Sequence, residues 1–470
     1  MQSSEGSILS NLYTIEKALE LSRQEIRDMY KEYVNPGLAT MLSLLNFDKK
    51  FVKAEGTKVW DNEGNVYLDF LGGYGALNFG HNRTEIIEAV EIVEKLPNIL
   101  QASLSTLAAV LAYNLAQLTP GELKRSFFGN SGAEVVEGAL KLARAATKRS
   151  KFVYCKGSFH GKSFGALSVT GREKYQKCFQ PLLPDCNAVP YGDLTALEKI
   201  LRNKDVAAFI VEPIQGEGGI IIPPKGYLQR AKELCKASET LLIVDEIQTG
   251  FGRTGNNFAC ELEHVEPDIL CLAKSLGGGI MPIGAYITTE RVWDSAYNGL
   301  DKALLHTSTF GGNARAAAAG IAACNLLVKD NLAQQAKEKG DYLLEKLSVF
   351  QNKYQLVKAI RGRGLMIGIE FEKQVNGVVN KITGGMVNKL SEEYLASLIA
   401  GELQNSYRII TAYTLNNPNV IRLEPPLTVS YQELDTLVNA LEDIFNKRHG
   451  FLGTAIASGK TIINTIFRKN

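Results

Sequence analysis

The chain has little net charge. Its 470 residues include 52 basic and 50 acidic side chains, which gives a formal charge of +2. Without an excess of either sign there is no electrostatic reason to expect nucleic acid or an anionic membrane surface as a partner. Partners must therefore be inferred from individual sites.

Cysteine is sparse and follows no metal-binding or disulfide pattern. The seven cysteines form no C-x-x-C pair and are odd in number. This spacing argues against a zinc site and against a disulfide framework, so we expect no metal centre. A reducing, cytoplasmic location is the simplest interpretation.

Long apolar runs are also missing. No stretch approaches the length of a transmembrane helix, and charges interrupt the apolar residues of the first twenty positions too early for a secretory signal. There is no internal repeat and no low-complexity segment. The length suits a large domain with a smaller companion.

The order of apolar patterns along the chain predicts this organisation. Residues 13–34 have helical periodicity and end at Asn35-Pro36-Gly37, and strand-like segments follow them. From about 105 to 325, helical stretches alternate with short apolar runs, which is typical of a mostly parallel α/β sheet. We therefore predict an N-terminal arm with strands at 1–75, a large domain at 76–330 and a smaller α+β domain at 331–470 with an extra tail at 448–470.

Two glycine motifs resemble nucleotide-binding loops but do not satisfy their spacing. In GSFHGKS, only three residues separate Gly157 from Gly161, whereas a P-loop needs four between its first glycine and the GK pair. GFGRTG at 250–255 matches G-x-G-x-x-G, but DEIQT separates it from the preceding strand and no helical pattern follows. A nucleotide-binding protein is therefore a disfavoured alternative.

Three apolar runs of the large region end on charged side chains. They are VAAFIVEP with Glu212, TLLIVDE with Asp245 and Glu246, and DILCLAK with Lys274. In open parallel sheets, ligands bind outside the carboxyl ends of the strands. Any one of these residues alone is more readily explained as a buried ion pair or helix cap, but three together favour a shared site.

These residue types suit carbonyl chemistry on a pyridine ring. Burial beside the glycines of AKSLGGG lowers the pKa of Lys274, and a neutral amine attacks carbonyl groups. The carboxylate of Asp245 favours a protonated ring nitrogen. A Schiff-base aldolase also explains Lys274, but it gives Asp245 no role.

A helix start offers a place for phosphate. Val135, Ala139 and Leu142 mark one helical face, and Asn130-Ser131-Gly132 precede it. The backbone N–H groups of Ser131, Gly132 and Ala133 suit an anion, with help from the helix dipole. The same pattern is also common at helix starts that bind nothing.

Six motifs in order carry a resemblance to a known family: NSGAEVVEGALKLA, SFHGKSFGALS, VEPIQGEGG, IVDEIQTGFGRTG, DILCLAKSLGGGIMPIGA and HTSTFGGN. From about residue 30 to 445 the chain resembles the class III pyridoxal-phosphate aminotransferases of fold type I, which have a large domain with a mostly parallel sheet and a smaller α+β domain. Within that family it is most similar to the putrescine aminotransferases, through segments such as TPGELKRSFF, IIPPKGYL and TLNNPNVIRLEPPLT.

The resemblance implies roles for the cofactor site. Lys274 resembles the Schiff-base lysine and proton shuttle, and Asp245 the partner of the ring nitrogen. Phe159 would cover the ring face, and Gln248 would lie near the ring hydroxyl. The other residues expected to bind pyridoxal phosphate are Ser131, Gly132, Ala133, Glu212 and, from the neighbouring subunit of a homodimer or larger homo-oligomer, Thr309.

The resemblance also implies a substrate site. Arg422 resembles the arginine that binds the α-carboxylate of glutamate or 2-oxoglutarate, and Glu217 the glutamate that neutralises it when an amine without that carboxylate binds. Lys162 would point toward the substrate entrance, and Gln101 would contact substrate.

The chain departs from the putrescine enzymes at LQASLST, where Ala102 and Ser105 stand in place of carboxylates. Residues 374–400 also look longer than that pattern. The expected activity is amino transfer between a terminal primary amine, putrescine or a similar diamine or alkylamine, and 2-oxoglutarate. Amination of a long-chain or biosynthetic aldehyde is the alternative.

Overall fold

The computed structural model describes residues 12–100, 102–372 and 386–447. The predicted contact Gln101, part of the longer segment at 374–400, and the tail at 448–470 lie outside these residues. The strands are β1 Phe51–Glu55, β2 Lys58–Asp61, β3 Val66–Asp69, β4 Leu123–Gly129, β5 Lys151–Cys155, β6 Cys186–Val189, β7 Val206–Val211, β8 Leu241–Asp245, β9 Ile269–Leu272, β10 Gly284–Thr289, β11 Val357–Arg363, β12 Met366–Phe371, β13 Ile409–Ile410, β14 Ala412–Tyr413 and β15 Val420–Leu423.

Helices cover most of the remaining described chain. They are α1 Ile15–Glu20, α2 Arg23–Tyr33, α3 Pro36–Leu44, α4 Thr84–Ile92, α5 Thr106–Leu118, α6 Gly132–Thr147, α7 Phe164–Ser168, α8 Glu173–Gln176, α9 Leu194–Leu201, α10 Tyr227–Ala237, α11 Glu290–Tyr297, α12 Ala314–Lys329, α13 Leu332–Lys353, α14 Met386–Tyr407 and α15 Tyr431–Lys447. Among the described residues, none of these helices has the length and apolar character needed to cross a bilayer.

A seven-stranded sheet forms the centre of the large region. Its strand order is β4-β10-β9-β8-β7-β5-β6, and only β10 runs against the others among the described strands. Every residue of β7, β8 and β9 is buried. These runs are apolar on both faces because helices cover both sides of the sheet. The predicted mostly parallel sheet is confirmed.

Two smaller, four-stranded sheets are formed by strands that precede and follow the central sheet in the sequence. One has the order β1-β2-β3-β13, and its β3 pairs in parallel with β13 from the C-terminal half. The other is antiparallel, with the order β11-β12-β15-β14. Strand β15 carries Arg422, which lies opposite Gly368 of β12. The domain boundaries at 75/76 and 330/331 stay a prediction.

The N-terminal arm differs from the single helix that periodicity predicts for 13–34. The helix is interrupted after Glu20, and Ser22 starts α2 with a capping box in which Glu25 is the partner. Asn35 then caps α3, and Pro36 occupies its first turn. Capping residues override continuous apolar spacing here because they satisfy backbone N–H groups that a helix start leaves open.

The GFGRTG motif serves packing between segments. Arg253 is fully buried, and its guanidinium donates hydrogen bonds to the carbonyl oxygens of Leu365 and Pro425 at 2.9 and 2.6 Å and to Asn78 Oδ1 at 2.6 Å. These bonds tie the loop after β8 to the turn between β11 and β12, to the chain that follows β15 and to the segment before α4. The glycines allow this close approach: a Cβ on Gly252 would lie 3.1 Å from Leu327 and Leu427.

Candidate active site

A cavity of about 710 Å³ lies at the carboxyl ends of β7, β8 and β9. Glu212, Asp245 and Lys274, the residues that follow or end these strands, all line it. The three strands are neighbours and parallel, so their carboxyl ends meet at one edge. The structure therefore brings together the strand-end residues singled out in the sequence, except Glu246, which instead accepts hydrogen bonds from Thr249 and from the backbone N–H of Cys260.

Asp245 is held in place from two sides. Its Oδ2 lies 2.7 Å from His160 Nδ1, and its Oδ1 accepts a hydrogen bond from the backbone N–H of Ile247 at 3.0 Å. Both side chains are buried. A carboxylate can only accept, so the bond is best made with the proton on Nδ1 of the imidazole. His160 was missed in the sequence, although it stands inside the SFHGK motif beside Phe159.

Lys274 approaches the cavity from a strained backbone. Its φ is +48°, and its Nζ donates to the carbonyl oxygen of Tyr74 at 2.7 Å. Tyr74 also has a positive φ, +58°, within the glycine-rich turn Gly72–Gly75. Left-handed conformations at residues other than glycine are costly and concentrate at functional sites. Both ends of this contact are therefore fixed by the surrounding fold.

Burial lowers the pKa of the Lys274 amine from its ordinary value, against the raising influence of Glu424 and Glu217. Desolvation disfavours the ammonium, so a larger share of the amine is neutral near physiological pH. The neutral form is the nucleophile toward carbonyl groups. The environment thus supports the chemistry expected of this lysine.

Glu212 is fully engaged by backbone groups. Its Oε1 accepts from the N–H of Phe159 at 3.0 Å, and its Oε2 accepts from the N–H of Gly216 at 3.1 Å. Burial raises the pKa of Glu212 to about 7. The side chain lines the cavity and also fixes the loop that carries Phe159, so a direct contact with cofactor stays a prediction.

Helix α6 opens into the same cavity. Ser131 is its N-cap, with its hydroxyl accepting from the N–H of Glu134 at 3.3 Å, as the sequence predicts. Ser131, Gly132 and Ala133 all line the cavity. The first intrahelical bond runs from Val135 N to Ser131 O, so the N–H groups of Gly132 and Ala133 precede it. Such groups at the positive end of a helix bind anions.

The cavity walls include three further residues predicted from the sequence. Phe159 lines the cavity, and Lys162 lies exposed at its rim with its Nζ 5.1 Å from the Tyr175 ring centroid. Gln248 donates through its Nε2 to the carbonyl oxygen of Tyr74 at 3.2 Å and to Glu424 Oε2 at 3.1 Å. The GKS triplet holds no phosphate loop, because Ser163 simply precedes the five-residue helix α7.

Beside the cavity, a guanidinium lies between two carboxylates. Arg422 Nη2 is 2.5 Å from Glu217 Oε2, and Arg422 Nη1 is 3.2 Å from Glu424 Oε2. All three side chains are buried. Burial alone would lower the pKa of Arg422, but the facing carboxylates of Glu217 and Glu424 outweigh it and raise that pKa. Glu424 was missed in the sequence, although its position two residues after Arg422 on an extended chain puts both on one face.

Thr309, predicted to reach the cofactor of a neighbouring subunit, and the departure positions Ala102 and Ser105 lie outside the lining of this cavity in the described chain. Thr309 is exposed and does not line the cavity. Its neighbour Ser308 accepts a hydrogen bond from Asn130 Nδ2 at 3.0 Å, which holds this loop near the start of α6. Ser105 caps α5 by accepting from the N–H of Ala108 at 3.3 Å, and Ala102 is exposed.

The donor groups fit a phosphorylated pyridine. Backbone N–H groups at the start of α6 suit the phosphate, and the buried Asp245 carboxylate suits a protonated ring nitrogen. The start of α6 packs closely on the cavity wall, because a Cβ on Gly132 would lie 2.9 Å from Ile247, which lines the cavity. Lys274 supplies the amine that would bind the aldehyde.

A family model described as aminotransferase class-III matches residues 45–445. The chain belongs to the class III aminotransferases. The cofactor of this family is pyridoxal phosphate, in agreement with the fit of the cavity. The fold is that of the fold-type I aminotransferases.

Several relatives illustrate the family. Aminotransferase PigE from Serratia sp. is 38% identical over 468 residues, covering 93% of this chain and 55% of PigE. The chain thus spans about half the length of that curated relative. Ornithine aminotransferase from Toxoplasma gondii ME49 has a TM-score of 0.81 and 31% identity over 93% of this chain and 100% of its own. A PLP-bound amine transaminase from an uncultivated Pseudomonas species has a TM-score of 0.76 and 28% identity over 85% of this chain and 95% of its own.

Proposed function

We propose that this protein is an ω-aminotransferase that moves an amino group between a terminal primary amine and 2-oxoglutarate. The observation that carries the proposal is the buried pair of Arg422 and Glu217, 2.5 Å apart beside the cavity that contains Lys274. One pocket must accept a dicarboxylate in one half-reaction and an amine without a carboxylate in the other. A guanidinium with a displaceable carboxylate partner meets both requirements.

The residues around the cavity have separate roles in the proposed reaction. Bound there, pyridoxal phosphate supplies an electron sink that stabilises negative charge on the carbon next to the reacting nitrogen. Asp245, positioned by His160, would hold the proton on the ring nitrogen. Lys274 would anchor the cofactor and would move a proton as general base and acid through its Nζ. Phe159, which lines the cavity, would exclude water from the ring.

Glu217 is the carboxylate that would give way to a substrate carboxylate. Its Oε2 faces Arg422 and accepts a hydrogen bond from the backbone N–H of Leu415 at 2.7 Å. Burial raises the pKa of Glu217, but Arg422 outweighs burial and lowers that pKa, which favours the charged carboxylate. With an amine lacking a carboxylate, Glu217 neutralises Arg422 and avoids an unpaired buried charge. With glutamate or 2-oxoglutarate, the substrate carboxylate takes its place.

We propose a homodimer with shared sites, in which Thr309 reaches the cofactor phosphate of the neighbouring subunit. Its exposure and its absence from the cavity of its own chain support this role. The loop also carries Phe310, an exposed large apolar side chain.

The amine preference follows from the resemblance to the putrescine enzymes, which carry carboxylates in the segment that matches residues 100–106. The exposed Ala102 and the capping Ser105 offer no carboxylate to a distal ammonium, which must otherwise lose hydration without a partner. Putrescine or a similar diamine is therefore accepted less strongly than by an enzyme with carboxylates there, and uncharged alkylamines compete well. The same observation favours a second candidate function, amination of a long-chain or biosynthetic aldehyde.

The first prediction concerns turnover and donors. Holoenzyme mixed with a primary amine should lose its cofactor absorption band and regain it when 2-oxoglutarate is added. In a donor screen, butylamine should react at a rate within about tenfold of that of putrescine. The reason is that Ala102 and Ser105 provide no carboxylate to pair with the second ammonium of putrescine. A preference for putrescine well above that range would contradict the role of Ala102 and Ser105. A cofactor absorption band that does not change on addition of any amine or amino acid would contradict the proposed activity.

The second prediction separates the two half-reactions by single-turnover kinetics. Arg422→Ala removes a charged, hydrogen-bonded contact worth roughly 2–5 kcal/mol, so glutamate and 2-oxoglutarate should react about thirtyfold to several-thousand-fold less efficiently. The amine half-reaction should change far less. Glu217→Ala should do the reverse, because it leaves Arg422 without its closest counter-ion. Equal losses in both half-reactions for both variants would identify a structural pair instead of a gate.

The third prediction tests sharing between subunits. Lys274→Ala chains and Thr309→Ala chains should each be impaired alone, the latter most clearly at limiting cofactor concentration. A heterodimer of the two has one site with both groups intact, so exchange of subunits should restore activity. Mixtures that demonstrably exchange subunits without recovery would show that each site is built from one chain.

A further inference from the structure

Arg422 has a second carboxylate partner, Glu424, besides Glu217. Glu424 is completely buried, and its Oε2 accepts from Arg422 Nη1 at 3.2 Å and from Gln248 Nε2 at 3.1 Å. Its Oε1 is buried with no hydrogen-bond partner. Glu424 is thus part of the charged cluster and does not line the cavity itself.

The surroundings fix Glu424 in place. Its backbone N–H donates to the carbonyl oxygen of Phe70 at 2.8 Å, and the next residue, Pro425, has its carbonyl held by Arg253 at 2.6 Å. A Cβ on Gly72 would lie 2.2 Å from the Glu424 carbonyl oxygen, so the turn packs directly against it. The backbone of Glu424 is fixed by these contacts, and its fully buried carboxylate is held by Arg422 and Gln248.

The charge count follows from this geometry. Two carboxylates, Glu217 and Glu424, face one guanidinium. If Glu217 moves aside, Arg422 therefore keeps one counter-ion. A substrate carboxylate then enters a neutralised pair, and it is also repelled by the charge of Glu424. If Glu217 stays, the cluster has an excess of one negative charge.

We propose that Glu424 is a specificity-determining residue that limits the affinity of Arg422 for substrate carboxylates. It makes the site favour primary amines without a carboxylate over α-amino acids as donors. Glu424 acts through Arg422 and touches no substrate, so it is a positioning residue. The inference rests on the proposed function, in which Arg422 is the carboxylate contact.

A purely structural role makes a different prediction. If Glu424 only supports Gln248 and the strand end, an isosteric amide keeps an oxygen acceptor and the packing, and ligand affinity stays unchanged or falls. If Glu424 acts by its charge, the same change releases Arg422 and tightens carboxylate binding.

The test is calorimetric titration of holoenzyme with glutarate, a dicarboxylate that has no amino or keto group to react. The Glu424→Gln variant should bind glutarate about tenfold more tightly than the wild-type protein, because one buried negative charge near the ligand is removed. The matched control is Glu370→Gln. Glu370 lies on β12, the strand next to β15, and its carboxylate is 2.6 Å from Arg361. This change neutralises a carboxylate away from Arg422 and should leave the affinity for glutarate unchanged. In an Arg422→Met background, Glu424→Gln should no longer tighten binding.

If the Glu424→Gln variant binds glutarate with unchanged or lower affinity, the proposal is overturned. The proposal is also overturned if Glu424→Gln still raises the affinity for glutarate in the Arg422→Met background. Absence of glutarate binding in both the unchanged protein and Glu424→Gln would overturn it as well. Thermal unfolding checks each variant, and Glu424→Ala replaces Glu424→Gln if the amide does not fold. The amine and 2-oxoglutarate test on unchanged protein decides the proposed activity separately, because glutarate binding requires no turnover.

Discussion

The site depends on one constraint, the parallel order of β7, β8 and β9. Because these neighbours run in one direction, the residues at their carboxyl ends share an edge, and the sheet can be apolar throughout while its polar groups collect there. Glu212, Asp245 and Lys274 come from segments far apart in sequence. A register error in any of these strands would remove its residue from the cavity.

Buried charge is the cost of that arrangement, and the fold offsets it by pairing. Asp245 is paired with His160, and Glu212 with two backbone N–H groups. Arg422 lies between two carboxylates. Removing one partner from such a group leaves a charge without compensation, which is far more destabilising than removing both. Substitutions in this cluster should therefore be interpreted in pairs.

Local and periodic features were predictable from the residues themselves, whereas the one contact across the fold that was expected, Arg422 with Glu217, came from the family resemblance. The strand ends and the cap at Ser131 were predicted from apolar runs and from the residue types that start helices. Both signals come from residues that are adjacent in the sequence. The contacts of His160 with Asp245 and of Glu424 with Gln248 join residues separated by 85 and 176 positions, so no local pattern carries them. The break of the N-terminal helix at Ser22 was missed because the apolar period continues across a strong capping box. Glu424 did have a signal, since residues two apart on a strand share a face.

The central claim is that Lys274 is the amine that anchors pyridoxal phosphate in the cavity at the strand ends. The most direct measurement is reduction of the cofactor-loaded protein with borohydride after gel filtration, followed by mass spectrometry of its peptides. We expect the pyridoxyl adduct on Lys274, with the rim residue Lys162 unmodified. An adduct mainly on Lys162 or on surface lysines, with Lys274 unmodified, would contradict it.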